Sequence, residues 1–216
     1  MFLCIQMKAE FIKLFPDNPD PKKISHIVEV LRKGGLIIYP TDTVYGLGCD
    51  IFNSAAVERV KQLKGEKKKQ TNLSFICYDL SHLSEYTRSV NTPTFKLMKK
   101  ALPGPFTFIL SASSKVPKLL NARKKTVGIR IPDNNIPRQI VRELGNPIVT
   151  TSIHDEDDVI EYSTDPELIY EKYQKVVDIV IDGGYGDNEA SSIIDCSEDD
   201  PVIIREGKGD VGALLQ

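Results

Sequence analysis

Two periods of apolar residues alternate along the chain, and their order predicts the fold class. "DPKKISHIVEVLRKGG" places Ile24, Ile27, Val28 and Leu31 at helical spacing, with Gly34-Gly35 as the stop. The run "LIIYP" then reads as a buried strand. "NSAAVERVKQLKG" predicts a second helix, capped by Asn53 or Ser54 and ended by Gly65. "NLSFICY" predicts a strand, "DLSHLSEYT" a helix opened by Asp79, and "TPTFKLMKKAL" a helix stopped by Pro103-Gly104-Pro105. "FTFILSA", "TVGIRIP" and "PIVTTS" follow as strands, with the helix "NIPRQIVRELG" and its Gly145 cap before the last. "DEDDVIEYS" is expected to be an exposed acidic loop, and "DPELIYEKYQKV" a helix with Asp165 as N-cap and Pro166 at its first position. "VDIVIDGG", "ASSIIDC" and "PVIIREG" close the chain as short strands. Helices that alternate early and hairpin-like strands that cluster late predict one α/β domain, residues 1–216, with a mixed sheet.

Composition changes little in this picture. The chain has 216 residues, 41% of them apolar, enough for a sizeable core. No apolar run approaches the roughly 20 residues that span a bilayer, so no membrane partner is expected. "MFLCIQM" lacks a basic leader and a cleavage site, and either Met1 or Met7 can serve as initiator. Cys4, Cys49, Cys77 and Cys196 form no CxxC pair, which predicts reduced thiols and a cytoplasmic protein rather than a zinc site.

Charge adds an asymmetry. Residues 1–150 hold 24 Lys and Arg against 12 Asp and Glu, whereas residues 151–216 hold 4 against 18. Basic residues of the first part, including Lys64, Arg130 and part of 67–69, are expected on one concave surface, with the acidic 155–161 segment off it. The run "KGEKKK" places four lysines in six residues at a helix end, more than the dipole needs, and suits phosphate.

Familiar catalytic templates are missing: no GxxxxGK[ST], HExxH or GxSxG occurs, and His26, His82 and His154 do not cluster. What recurs is strand ends carrying hydroxyls and cations. Thr41-Asp42-Thr43 follows "LIIYP", Thr150-Thr151-Ser152 ends "PIVTTS", Thr126 and Arg130 flank "VGI", and Ser191-Ser192 and Arg205 lie in the late strands. Ligands of open α/β sheets bind beside strand ends, so these termini point to one shared pocket.

"YPTDTVYGLGCD", "VKQLKG", "LPGPFTFIL", "TVGIRIPDN", "PIVTTSIH", "ASSIIDC" and "IIREG" resemble, in order, the motifs of the YrdC/YciO family, the threonylcarbamoyl-adenylate synthases and their paralogues. The resemblance runs from about Lys22 to Gly207 and fits the single-domain form. It implies a twisted α/β sheet around a large, basic, concave cavity. The implied reaction joins threonine and bicarbonate into a carbamate that attacks the α-phosphate of ATP, with Mg²⁺ arriving with the nucleotide. Pyrophosphate leaves, and threonylcarbamoyl-AMP passes to tRNA-modification proteins downstream. Carried over by position, Thr41, Arg130, Thr150 and Ser191 bind the amino acid, with Arg130 clamping its carboxylate. Thr126 and Arg205 contact the nucleotide, and Lys64 and Ser152 serve both the nucleotide and the reacting groups. On this basis Arg130→Ala is expected to weaken threonine binding and leave the fold intact.

Two positions depart from the synthase pattern. Lys-x-Arg is here Lys64-Gly65-Glu66, and Ser-x-Asn is Ser152-Ile153-His154, as in the YciO-like branch. The departures leave an alternative open: a non-catalytic translation- or ribosome-associated protein that binds tRNA or double-stranded RNA in the same basic cavity.

Overall fold

Short buried strands and capped helices assemble into one mixed sheet. The computed structural model describes residues 8–64, 73–116, 120, 125–153 and 161–215. Its strands are β1 (Glu10–Lys13), β2 (Ile37–Tyr39), β3 (Gly46–Asp50), β4 (Ser74–Ile76), β5 (Phe106–Ser111), β6 (Thr126–Arg130), β7 (Ile148–Ser152), β8 (Ile179–Asp182), β9 (Ser192–Asp195) and β10 (Val202–Arg205). Their order across the sheet is β1-β8-β2-β3-β7-β4-β6-β5-β9-β10. The α/β class with a mixed, twisted sheet is as the sequence predicts.

The helices are α1 (Pro21–Arg32), α2 (Ser54–Leu63), α3 (Leu83–Tyr86), α4 (Thr92–Ala101), α5 (Asn135–Leu144), α6 (Glu161–Thr164), α7 (Pro166–Tyr173) and α8 (Val211–Leu215). The Asp20 carboxylate accepts the Lys22 N–H at 2.8 Å ahead of α1, and the Asn53 side chain accepts the Ala56 N–H at 3.0 Å ahead of α2. Asn134 starts α5, and Gly145 ends it in the left-handed region at φ +84°, which glycine adopts without strain. No helix of the described residues is long and apolar enough to cross a membrane.

Alternation along the strands divides the core in two. Ile38, Leu47, Cys49, Phe75, Val127 and Ile129 face a cluster completed by residues of α2, α3, α4, α7 and α8. Ile37, Tyr39, Ile76, Ile148, Ile179 and Ile181 face the other way, against Ile24, Ile27, Val28 and Leu31 of α1 and Ile136, Ile140 and Leu144 of α5. That second face continues beyond the two helices. Register places Gly48, Thr150, Ser74 and Gly128 side by side in four adjacent strands, with Ser152 opposite Gly46. Along β6, Thr126, Gly128 and Arg130 share this face. Small and hydroxylic residues therefore floor it where apolar ones floor the rest.

Two expectations change, and one strand is added. "GLGCD", which the period of apolar residues leaves unassigned, is the fully buried strand β3, paired on both sides by β2 and β7. Its glycines admit close neighbours: a Cβ on Gly48 would stand 2.5 Å from Ile148 Cγ2 and 2.9 Å from the Val149 carbonyl. The segment opened by Asp79 forms only one helical turn, α3, because the Asp79 carboxylate is spent on the Ser81 N–H of a tight turn. The end of the expected acidic loop is helical, as α6; its residues 155–160 lie outside the described residues.

Candidate functional site

The 40–45 connection between β2 and β3 owes its shape to its own hydroxyls. Thr41 Oγ1 accepts the Thr43 N–H at 3.0 Å and donates to the Val44 carbonyl at 2.8 Å, a local bond pattern that holds a tight turn. Arg130 reaches this turn from the end of β6. Its Nη2 donates to Asp42 Oδ1 and Thr43 Oγ1, both at 2.6 Å, and lies 3.1 Å from Thr41 Oγ1. The ion pair is about nine-tenths buried, the side chains being 10% and 11% exposed. Burial does not exhaust it: Arg130 Nε and Asp42 Oδ2 are buried and have no hydrogen-bond partner among the described residues. The pair thus keeps one buried donor and one buried acceptor unspent, where ordinary interiors leave almost none.

A second arginine stands close by. Ser191 precedes β9, and its hydroxyl lies 2.9 Å from Thr107 Oγ1 of β5. Arg205, on β10, donates through Nε and Nη2 to the Ser191 carbonyl at 3.1 and 2.7 Å. Burial first, and the positive charge of Arg130 second, pull the Arg205 guanidinium below its ordinary value. Two like charges held within mutual influence are costly without an anion between them, which suits a ligand carrying carboxylate or phosphate.

Lys208 ties the C-terminal segment to the same turn. Its ammonium donates to the Asp42 carbonyl at 2.8 Å and pairs with Asp187 at 2.7 Å. The bond to Lys208 holds the Asp187 carboxyl below the usual range. A cavity of about 650 Å³ opens beside this strap, lined by Thr41, Asp42, Thr43, Asn134, Asp187 and Lys208 among others.

The structure brings Thr41 to Arg130, Ser191 to Arg205, and the two arginines into electrostatic contact. Thr150 lies in the floor, with its oxygen 2.5 Å from the Tyr39 hydroxyl and 3.3 Å from the Leu47 carbonyl. Burial pushes the Tyr39 phenol far above its ordinary value, so Tyr39 stays protonated and holds Thr150 in one orientation. Ser152 ends β7 and Thr126 opens β6; both are half-buried, and their hydroxyls make no side-chain bond with a described residue. Lys64 is the half-buried C-cap of α2. Glu66, residues 67–69 and His154 lie outside the described residues.

Sequence reasoning misses Lys208 as part of this cluster, and it places Asp42 and Thr43 at the shared pocket without giving either a role. For Asp42 a signal exists, a carboxylate between two threonines at a strand end; for Lys208 there is none. The cluster draws on both parts of the charge asymmetry. Arg205 and Lys208 come from the acidic last third, Asp42 from the basic part, and the cluster carries both signs.

Comparison with known proteins places this geometry. The Sua5/YciO/YrdC family, described as "Telomere recombination", matches residues 29–207. The uncharacterized protein YciO of Escherichia coli (strain K12) is 40% identical over 208 residues, 96% of this chain and 100% of that protein. The threonylcarbamoyl-AMP synthase of Nitrosococcus oceani is 36% identical over 123 residues, 57% of this chain and 66% of that one. Among solved structures, E. coli YciO superposes with a TM-score of 0.85 at 39% identity, over 96% of this chain and 100% of its own. P. abyssi Sua5 complexed with L-threonine also gives 0.85, at 26% identity over 95% of this chain and 60% of that one. The chain belongs to the Sua5/YciO/YrdC family.

Proposed function

We propose that the protein condenses L-threonine, bicarbonate and ATP into threonylcarbamoyl-AMP and pyrophosphate, for the threonylcarbamoyladenosine modification of tRNA. Its family includes proteins named threonylcarbamoyl-AMP synthase, and a structural relative is complexed with L-threonine. The observation that carries the proposal is the Arg130–Asp42 pair, buried yet retaining an unspent donor on Arg130 Nε and an unspent acceptor on Asp42 Oδ2.

The chemistry asks for positioning and charge compensation and for no protein nucleophile. The threonine amine attacks the carbon of bicarbonate, water leaves, and the carbamate oxygen displaces pyrophosphate at the α-phosphorus of ATP, which enters as its Mg²⁺ complex. Arg130 supplies donors in a fixed fork for the amino-acid carboxylate. Arg205 and Lys64 balance phosphate charge, while the hydroxyls of Ser152 and Thr126 are open to the reacting groups. Thr41 and Ser191 sit beside the two guanidiniums, and Thr150 keeps the floor in register.

The test is pyrophosphate release from ATP with threonine and bicarbonate both present, each omitted in turn. Release that requires both supports the proposal. No release above the ATP-only control, in a folded protein that binds threonine, overturns the catalytic assignment.

A further inference from the structure

A second cleft lies apart from every residue of the proposed site. It encloses about 300 Å³ at the edge where β4 ends and α5 finishes, and its walls include Phe52, Tyr78, Asp79, Glu85, Arg142 and Asn146. The volume is at the lower end of the range for small-ligand pockets.

One exposed ring of this cleft is also firmly placed. Phe52 is 64% exposed, yet its N–H donates to Asp50 Oδ1 at 3.0 Å, and Asn146 Nδ2 donates to the same oxygen at 2.9 Å. Asp50 is buried, so one inward carboxylate fixes both an aromatic wall and an amide wall. A solvated phenyl group on a fixed backbone is a stacking platform.

Beside it stands an unusual cation pair. Arg138 and Arg142, four residues apart on α5, both stack on the Tyr78 ring at 5.4 Å from its centroid. Like charges at this spacing weaken a helix, and neither arginine pairs with a carboxylate among the described residues. Arg138 Nε is buried without a hydrogen-bond partner among the described residues. Two other walls, Asp79 and Asn146, face the cleft with acceptors to spare. Asp79 spends Oδ1 on the Ser81 N–H, and Asn146 spends its Nδ2 donors on Asp50 and the Pro147 carbonyl. Glu85 is already occupied by His82 at 3.1 Å and Lys115 at 3.8 Å.

We propose that this cleft binds a nucleotide unit: the base against Phe52, an exocyclic amine toward Asp79 and the Asn146 carbonyl, and the phosphate on Arg142 and Arg138. A planar anionic ligand answers the aromatic wall, the unpaired guanidiniums and the free acceptors together. Free mononucleotide and an unpaired residue of an RNA share this chemistry. The site is independent of the reaction assigned to the Arg130 cluster.

The experiment is a ¹H–¹⁵N titration of the full chain with AMP, with UMP, and with a single-stranded oligoadenylate. Shifts are expected at Phe52, Gly145 and Asn146, with AMP favoured over UMP. Phe52→Leu, which keeps apolar bulk and removes the ring, is expected to weaken binding about fivefold or more. Arg142→Ala is expected to weaken it about tenfold, and Arg205→Ala to leave these shifts unchanged. Oligoadenylate that binds more tightly than AMP and loses that affinity in Phe52→Leu identifies RNA as the source; equal affinities identify the mononucleotide. Shifts confined to the Arg130 cluster, affinity unmoved by both Phe52→Leu and Arg142→Ala in folded protein, or equal binding of AMP and UMP would overturn the assignment.

Discussion

Arg130→Ala does more than remove a ligand contact. It strands the Asp42 carboxylate, which is 11% exposed and whose Oδ2 already lacks a partner. Breaking a buried ion pair from one side costs about 3–5 kcal/mol, because the remaining charge stays desolvated. Residual exposure and the neighbouring threonine hydroxyls favour the lower end, about 3 kcal/mol. For a chain of this size that lowers the melting temperature by about 6–12 °C. Burial therefore adds an expected loss of stability to the loss of binding expected from the sequence. Arg130→Met with Asp42→Asn removes both charges and is expected to recover most of the loss, since a neutral pair avoids the desolvation. Calorimetry separates stability from binding: on the proposed function, threonine affinity is expected to fall about tenfold or more in both variants. Urea and thermal unfolding of the single and double variants give the stability values. A double variant no more stable than Arg130→Ala would refute the stranded charge as the cause. An Arg130→Ala protein that melts within a degree of the parent would refute the energetic weight of the pair.

Gly48→Ala is expected to cost about 1–3 kcal/mol by overpacking, since its Cβ meets Ile148 Cγ2 at 2.5 Å and a backbone carbonyl at 2.9 Å; chemical denaturation measures it. Burial raises the Cys49 and Cys77 thiols to about 12 and Cys196 to about 11. The folded state therefore holds protons that the unfolded chain releases above about pH 8.5, and stability is expected to fall as pH rises from there toward these values. In native protein at pH 8, alkylation followed by mass spectrometry is expected to label these three cysteines far more slowly than after unfolding. The depressed Asp187 carboxyl has the opposite sign: its contribution is present above the ordinary carboxylate range, about pH 4, and is lost as pH falls through the folded value. Lys208→Met is expected to flatten that acid limb of a stability–pH curve, by no more than about 1 kcal/mol because the pair is partly exposed.

The sequence is most legible where periodicity and caps agree. α1 and α5 carry their apolar stripes at helical spacing, with Asp20 and Asn134 before them and Gly145 after α5, and both form as expected. β1 is not legible: Glu10–Lys13 is a short edge strand with three exposed positions, and only its pairing with β8 makes it a strand. β3 is missed for the reverse reason, because glycines that lower strand propensity are selected there by what lies against them. The candidate site divides along the same line. Hydroxyls and arginines at strand ends are visible in the chain, and their meeting across Thr41 and Arg130 is not. Asp42 turns from a turn residue into a buried counter-ion only when β6 brings an arginine over it from 88 positions away.

The two arginines differ in what holds them. Arg130 ends β6, a strand bonded on both flanks by β4 and β5. Arg205 ends β10, the outermost strand, bonded to β9 alone and shifted in register between Ile203 and Arg205. Val202, Ile203 and Ile204 stand exposed along it. Edge segments with few buried contacts open at the lowest free energies in a fold. For the proposed function the two arginines would therefore form a clamp with one fixed jaw and one sprung jaw. A small carboxylate would be gripped by the rigid side without adjustment, whereas a larger polyphosphate would be accommodated by give in the outer strand.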